Sequence, residues 1–209
     1  MYRLAHSAEY QEKVYQELLE VFGEPTLEEV TSENGLHITA EQYKKLKLTK
    51  QFVEEVLRVN PFAFIGGGRI LSDDMIIRGY KIPKDTQVLC IQRFANTRDE
   101  FVPRANEFIP ERHEKGSPIG LSNNYISTPF GIGARKCPGS RIALHELHMA
   151  IINTVRHFKL EHSNPESFPP TSYDQALLYI DLEKNPLYFT PRDHLKEHFY
   201  SLKQSKKNE

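Results

Sequence analysis

The sequence predicts an α+β fold, mainly helical with small β-sheets. Three observations carry this. Apolar residues recur at helical spacing over residues 4–22 and again over 49–59. Between residues 63 and 90, and from 177 to 189, they fall instead in short runs broken by glycine, proline and charged residues, the pattern of brief strands. Residues 142–158 form a long apolar run directly behind a glycine-rich loop that contains a cysteine.

Residues 4–22 read as an amphipathic helix that stops at Gly23. Residues 24–48 are polar and irregular, with helical turns near 27–30 and 40–45. A helix over 49–59 follows, with Pro61 as its stop signal. Strand-like runs at 63–71, 75–77 and 87–89 come next, and Gly79-Tyr-Lys-Ile-Pro-Lys-Asp-Thr marks a turn between the last two. Residues 95–121 are rich in charge, proline and turn residues and predict a long loop with little regular structure, a length that usually serves function or a larger interface. The helix at 138–157 is apolar on most faces and is expected to be buried. Strand-like segments near 177–182 and 187–189 close a domain of residues 1–192, and the tail 193–209 is polar and expected to be mobile.

The composition excludes several classes. A net charge of −1 over 209 residues offers no argument for nucleic acid. Two cysteines of unlike context make neither a disulfide framework nor a zinc spacing, so a reducing, intracellular setting is the default. No stretch approaches the roughly 20 apolar residues that span a bilayer. Met1-Tyr-Arg-Leu-Ala-His leads into a charged helix and not into a cleavable signal.

Cys137 is the residue that points to chemistry. It lies in Thr-Pro-Phe-Gly-Ile-Gly-Ala-Arg-Lys-Cys-Pro-Gly-Ser-Arg-Ile-Ala, with glycines at 131, 133 and 139 around the sulfur. Glycine lets the backbone turn tightly and approach a flat cofactor closely. Backbone N–H groups at the start of the following helix stabilise an anionic sulfur. Pro138 is tolerated there because a first-turn N–H has no helical partner. Arg135 is suited to pair with a carboxylate on a bound cofactor. Cys90, in Thr-Gln-Val-Leu-Cys-Ile, reads by contrast as a small buried hydrophobe.

The run Phe130-Gly-Ile-Gly-Ala-Arg-Lys-Cys137-Pro-Gly139 resembles the haem-binding signature of the cytochrome P450 superfamily, F-x-x-G-x-R-x-C-x-G, at every fixed position. Upstream, Gln51-Phe-Val-Glu-Glu-Val-Leu-Arg-Val-Asn-Pro61 holds Glu55 and Arg58, an E-x-x-R pair whose members share a helix face. Between them, Phe108-Ile-Pro-Glu-Arg-His113 resembles the family's P-E-R-[FWH] stretch. The resemblance covers residues 3–192 and implies the C-terminal part of the P450 fold.

The resemblance implies the following roles. Cys137 is the axial thiolate ligand of haem b and pushes electron density toward the iron, which favours O–O cleavage. Phe130 shields and tunes the sulfur, while Gly131, Gly133 and Gly139 shape the loop. Arg135 and Arg69 bind haem propionates, although a surface arginine on a strand remains a competing reading of Arg69. Glu55, Arg58 and Arg112 form a buried structural triad. The parent enzyme would be a monooxygenase that hydroxylates an apolar small molecule, using O₂ and electrons from NADPH through a ferredoxin-type or flavoprotein donor. The runs at 68–83 and 101–112 look most like the animal mitochondrial group, implying the mitochondrial inner membrane. Glu54 and His113 depart from that group, which often has lysine and tryptophan there, and the microsomal group of the endoplasmic reticulum stays open. The family's distal oxygen-activating helix is expected just before Met1. Without it, and without the N-terminal anchor and most substrate loops, the sequence reads as an incomplete member, inactive as an isolated chain. A haem-thiolate isomerase or dehydratase and a non-catalytic fragment are the rival readings.

Three further features have plainer readings. Gly66-Gly-Gly-Arg69 lacks the Lys-Ser/Thr of a phosphate-binding loop and reads as a turn presenting Arg69. His145-Glu-Leu-His148 is one residue short of H-E-x-x-H and reads as packed or partly exposed histidines. Lys44, Lys45, Lys47 and Lys50 form a basic cluster that ordinarily reads as a solvated face; the family resemblance implies a second reading, in which the surface near this helix docks an acidic electron donor.

Overall fold

A computed structural model describes residues 1–31, 33, 35–63, 67–123, 125–164, 166, 172–174, 177–179 and 185–205. Among them are eight α-helices and four two-stranded antiparallel sheets, a mixed α+β fold. The chain divides into two compact units. One comprises Met1–Val53, Ile142–Thr171 and Ile180–Glu209, the other Glu54–Arg141 and Ser172–Tyr179.

The first unit opens with α1 (Tyr2–His6) and α2 (Ala8–Phe22). The Ser7 hydroxyl accepts from Tyr10 N–H at the start of α2, and Gly23, at φ +77°, ends it by donating to Leu19 O. Val14 and Leu18 are fully buried on its inner face. Gln11 lies among them, and its amide accepts from Leu160 N–H and donates to Leu4 O and Leu160 O, all within 3.0 Å. A buried amide is stable only when its hydrogen bonds are made, so Gln11 fixes one register. Next come α3 (Glu28–Thr31), α4 (Ala40–Lys45) and the first half of α5 (Leu48–Val59). A capping box between Thr39 and Gln42 starts α4. The start of α5 is held from a distance. Glu17 on α2 accepts from Lys47 N–H at 2.6 Å, Leu48 N–H at 2.7 Å, Thr49 N–H at 2.8 Å and the Thr49 hydroxyl at 2.6 Å.

In the second unit the last turns of α5 are followed by β1 (Arg69–Ile70), β2 (Met75–Ile77), β3 (Tyr80–Ile82) and β4 (Gln87–Val88). Strand β1 pairs with β4, and β2 pairs with β3. The reading of 79–86 as one turn is refined: β3 lies inside it, between a turn at Arg78-Gly79, with φ of +49° and +85°, and a second at Lys84-Asp85, where Asp85 has φ +63°. The angles at Arg78 and Gly79 are the positive ones that a two-residue hairpin demands. Of the strand-like run 63–71 only β1 is seen, and its residues 64–66, including Gly66, lie outside the described residues. The segment 95–121 has little regular structure, as expected, but it is packed. It starts with α6 (Gln92–Asn96), contains a 3-10 turn at Pro110–His113, and packs Phe101 and Leu121 on a small core of Val102, Ala105 and Ile126. A 3-10 turn at Gly133–Arg135 precedes α7 (Ser140–His157). Strands β6 (Ser172–Asp174) and β7 (Leu177–Tyr179) form a further hairpin, and residues 180–182 of the expected strand lie outside the described residues.

Back in the first unit, α7 buries Ile151, Ile152 and Val155, but Ile142 is 66% and Leu147 41% exposed. The expectation of a buried helix at 138–157 therefore holds for its C-terminal half only. Apolar composition does not say which faces find neighbours. Strand β5 (Phe158–His162) pairs with β8 (Leu187–Pro191). The tail from Asp193, expected to be polar and mobile, forms helix α8 (Asp193–Ser205). Leu195, fully buried, and Phe199, packed edge-on against Phe158, stand four residues apart and so share a face. Two apolar residues in a polar run suffice to seat the helix.

Candidate functional site: a cysteine loop and the ion network beside it

The loop at 128–139 is built from short backbone bonds. Gly131 N–H donates to Thr128 O at 2.8 Å, and Lys136 N–H to Gly133 O at 3.0 Å. Cys137 N–H donates to Phe130 O at 2.9 Å and closes the loop on itself. Gly131 and Gly133 both have φ of +71°, a region closed to most side chains. Gly139 is different: its φ is ordinary, and a methyl there would meet Cys137 Sγ at 3.9 Å, a normal contact. Three residues after the sulfur, α7 begins, with Ser140 N–H bonded to Cys137 O at 3.3 Å.

Cys137 is exposed and lines a cleft of about 770 Å³. That volume suits a ligand of cofactor size. Phe130, Gly131, Arg135 and Arg69 line the same cleft, with Leu57, Phe62, Ile91, Ile126 and Ile132 as apolar walls. Cys90 lines it too and is exposed, which corrects its reading as a buried hydrophobe. Strand β4 ends at Val88, so Cys90 has left the sheet. Arg69 and Arg135 are exposed and, among the described residues, neither has a carboxylate partner. Arg69 bonds only a neighbouring carbonyl, Gly68 O, at 2.9 Å. A sulfur donor, apolar walls and two unpaired guanidinium groups fit a flat apolar cofactor with carboxylates on its edge and a thiolate-seeking metal. The residues present therefore fit haem.

Beside the loop lies a buried ion network. Glu55 and Arg58 are 0% and Arg112 1% exposed. Arg58 holds Glu55 with two bonds, Nε to Oε2 at 2.8 Å and Nη2 to Oε1 at 2.7 Å. Arg112 Nε donates to Oε1 at 3.0 Å, and Ile109 N–H to Oε1 at 2.9 Å. The remaining guanidinium hydrogens reach the carbonyls of Asn96, Pro103, Arg104, Ala105, Glu107 and Ile119. The two arginines thus pin the irregular segment after α6 as well as the carboxylate. One partner escaped sequence reasoning: His113 Nε2 lies 2.9 Å from Glu55 Oε2. It was visible only as a departure from a tryptophan pattern. Burial alone would raise the Glu55 pKa, but hydrogen bonds from Arg58 and His113, the Arg58 charge and Ile109 N–H bring it down to about 2.

The other flagged residues lie elsewhere. His148 is buried, with Nδ1 2.7 Å from the Tyr43 hydroxyl, and His145 is exposed. Of the lysine cluster, Lys44, Lys45 and Lys47 are exposed. Lys50 is engaged: its ammonium donates to Tyr43 O at 2.6 Å and sits 4.4 Å from that ring's centroid.

Comparison with known proteins shows the family. The family model described as Cytochrome P450 matches residues 1–187. Cytochrome P450 27C1 of Aquarana catesbeiana is 32% identical over 78% of this chain, and Probable cytochrome P450 12c1, mitochondrial, of Drosophila melanogaster is 37% identical over 65%. Taxane 10-beta-hydroxylase of Taxus cuspidata is 35% identical over 76%. The chain spans 28%, 28% and 30% of the length of these three relatives. With a family match that runs from the first residue through α7 to the start of β8, this chain belongs to the cytochrome P450 family.

Proposed function

We propose that this chain is the haem-thiolate portion of a monooxygenase, with Cys137 as the axial ligand of haem b. The observation that carries this is the meeting of Cys137, Phe130, Arg135 and Arg69 in one apolar cleft. Cys137 Sγ holds the metal from a loop whose turns are preset by Gly131 and Gly133. With haem bound, Arg135 and Arg69 would pair with the propionates, and Phe130 would screen the sulfur, which is otherwise exposed. When bound, haem supplies the iron at which O₂ is reduced and one oxygen atom is inserted into an apolar substrate. Glu55, Arg58, Arg112 and His113 hold the backbone beside the loop. The activity, substrate and donor proposed are those this portion serves in a protein of its relatives' length.

The test is an absorbance spectrum of the purified chain with haem, reduced by dithionite under carbon monoxide. We expect a strongly red-shifted Soret band that is lost in Cys137→Ala. An unshifted band, or no bound haem, overturns the reading.

The electron donor is proposed to be acidic, a ferredoxin or flavoprotein, steered by Lys44, Lys45 and Lys47. Lys50 is excluded because it is committed to Tyr43. Charge reversal at Lys44 and Lys45 is expected to raise the apparent KM for the donor several-fold and to leave haem binding unchanged. An unaltered KM would remove these lysines from the docking surface. For the parent we propose the mitochondrial inner membrane, on the support of the relative whose name includes that compartment. Among the described residues no helix is long and apolar enough to cross a membrane. Fractionation of the native protein with microsomes instead would move it to the endoplasmic reticulum.

A further inference from the structure

Helix α6 is only five residues long, yet it is bonded at both ends to parts of the site. At its last residue, Asn96 O accepts from Arg58 Nη1 at 2.5 Å, and Asn96 Nδ2 donates to Arg58 O at 3.0 Å. At its first, the Gln92 amide donates from Nε2 to Thr128 O at 2.5 Å. Gln92 also lines the Cys137 cleft. Thr128 O is the same carbonyl that accepts Gly131 N–H at 2.8 Å. It therefore anchors the turn that puts Gly131 at φ +71° and presents Phe130, whose carbonyl holds Cys137 N–H.

We propose that Gln92 is a positioning residue for the Cys137 loop, with α6 as a strut from the Glu55–Arg58–Arg112 network to the turn at Thr128; its bearing on haem rests on the haem-thiolate reading above. The bond from Gln92 ties the loop's entry to α6 by a side-chain hydrogen bond. Without it, Thr128 O keeps a single local partner and the turn is no longer referenced to the network. Through this strut the ion network reaches the loop although no side chain of the triad lines the cleft.

The test uses the full chain with Gln92→Met, which keeps volume and removes the donor, Gln92→Asn, which keeps the donor one methylene short, and Gln92→Glu, which opposes Thr128 O with a carboxylate. Amide hydrogen exchange is measured without haem at Gly131 and Cys137, with Ile152 in α7 as reference. Loss of one net hydrogen bond predicts faster exchange, by about tenfold for the Met and Glu variants and less for Asn, with Ile152 unchanged. In the haem-loaded chain, the red-shifted ferrous–CO band is expected to lose intensity to an unshifted one. Wild-type exchange at Gly131 and Cys137 in all three variants overturns the proposal, whatever the haem spectra show. A wild-type chain that takes up no haem overturns the haem-thiolate reading instead, and the exchange comparison then decides the role of Gln92 by itself.

Discussion

Glu55→Gln is expected to lower the unfolding free energy by about 3–5 kcal/mol, the cost of breaking a buried ion pair by removing one partner. The carboxylate is fully buried and accepts from Arg58, Arg112, His113 and Ile109 N–H. A neutral amide leaves two buried guanidinium groups without a counter-charge. It also turns a donor toward groups that are themselves donors. The loss is a large fraction of the about 5–15 kcal/mol that stabilises ordinary domains. Urea unfolding of both chains at neutral pH checks the magnitude, and a difference below about 1 kcal/mol would show that the network contributes little to stability.

The same carboxylate ties stability to pH. Its pKa is about 2 in the folded chain against an ordinary 4.5, so its contribution is fully present above pH 4.5 and is lost as pH falls toward 2. The wild type should therefore lose about 3 kcal/mol across that window relative to Glu55→Gln, whose curve lacks this titration. The two curves should converge as the acid is added.

Glu17→Ala is the second large effect, about 2 kcal/mol, with a thermal midpoint lower by about 4–8 °C. Glu17 serves three backbone donors and one hydroxyl at the start of α5. Those N–H groups have no partner inside the helix. Lys47 N–H is exposed and regains water, while Thr49 is buried and does not. Glu17→Gln keeps one acceptor oxygen and should lose about half as much. Equal midpoints for Glu17→Ala and wild type would mean that water caps the helix as well as Glu17 does.

Legibility of this chain in its sequence varied with the range of the interaction. The Cys137 loop was readable because glycine, proline and a basic residue at fixed offsets each answer a local backbone or charge demand. Glu55 and Arg58 were readable as a helical pair because they stand three residues apart. Arg112, 57 positions from Glu55, entered only through family resemblance. His113, Gln92 and Glu17 carry no local signal, since nothing in their neighbours states which distant donor or carbonyl they meet. Helix α8 was missed because its seating depends on Leu195 and Phe199 finding cover, and strand β3 because a hairpin is specified by two positive φ angles at Arg78 and Gly79. The exposed face of α7 failed for the opposite reason: its composition promised burial that the described residues do not provide.

The way the first unit is assembled sets the order in which the molecule forms. Its register is fixed by Gln11 bonding Leu160, 149 positions away. The second unit, mostly the continuous stretch Glu54–Arg141, closes its ion network over 57 positions. Bringing distant residues together costs more chain entropy and is slower than local closure. During refolding, helices α1 and α2 are therefore expected to wait for β5, while the stretch Glu54–Arg141 closes first. Pulse-labelled exchange during refolding reads this order, with Ile109 N–H protected before Leu160 N–H; simultaneous protection would refute it. During that interval Val14 and Leu18, buried in the finished fold, are open to solvent and to association with other chains.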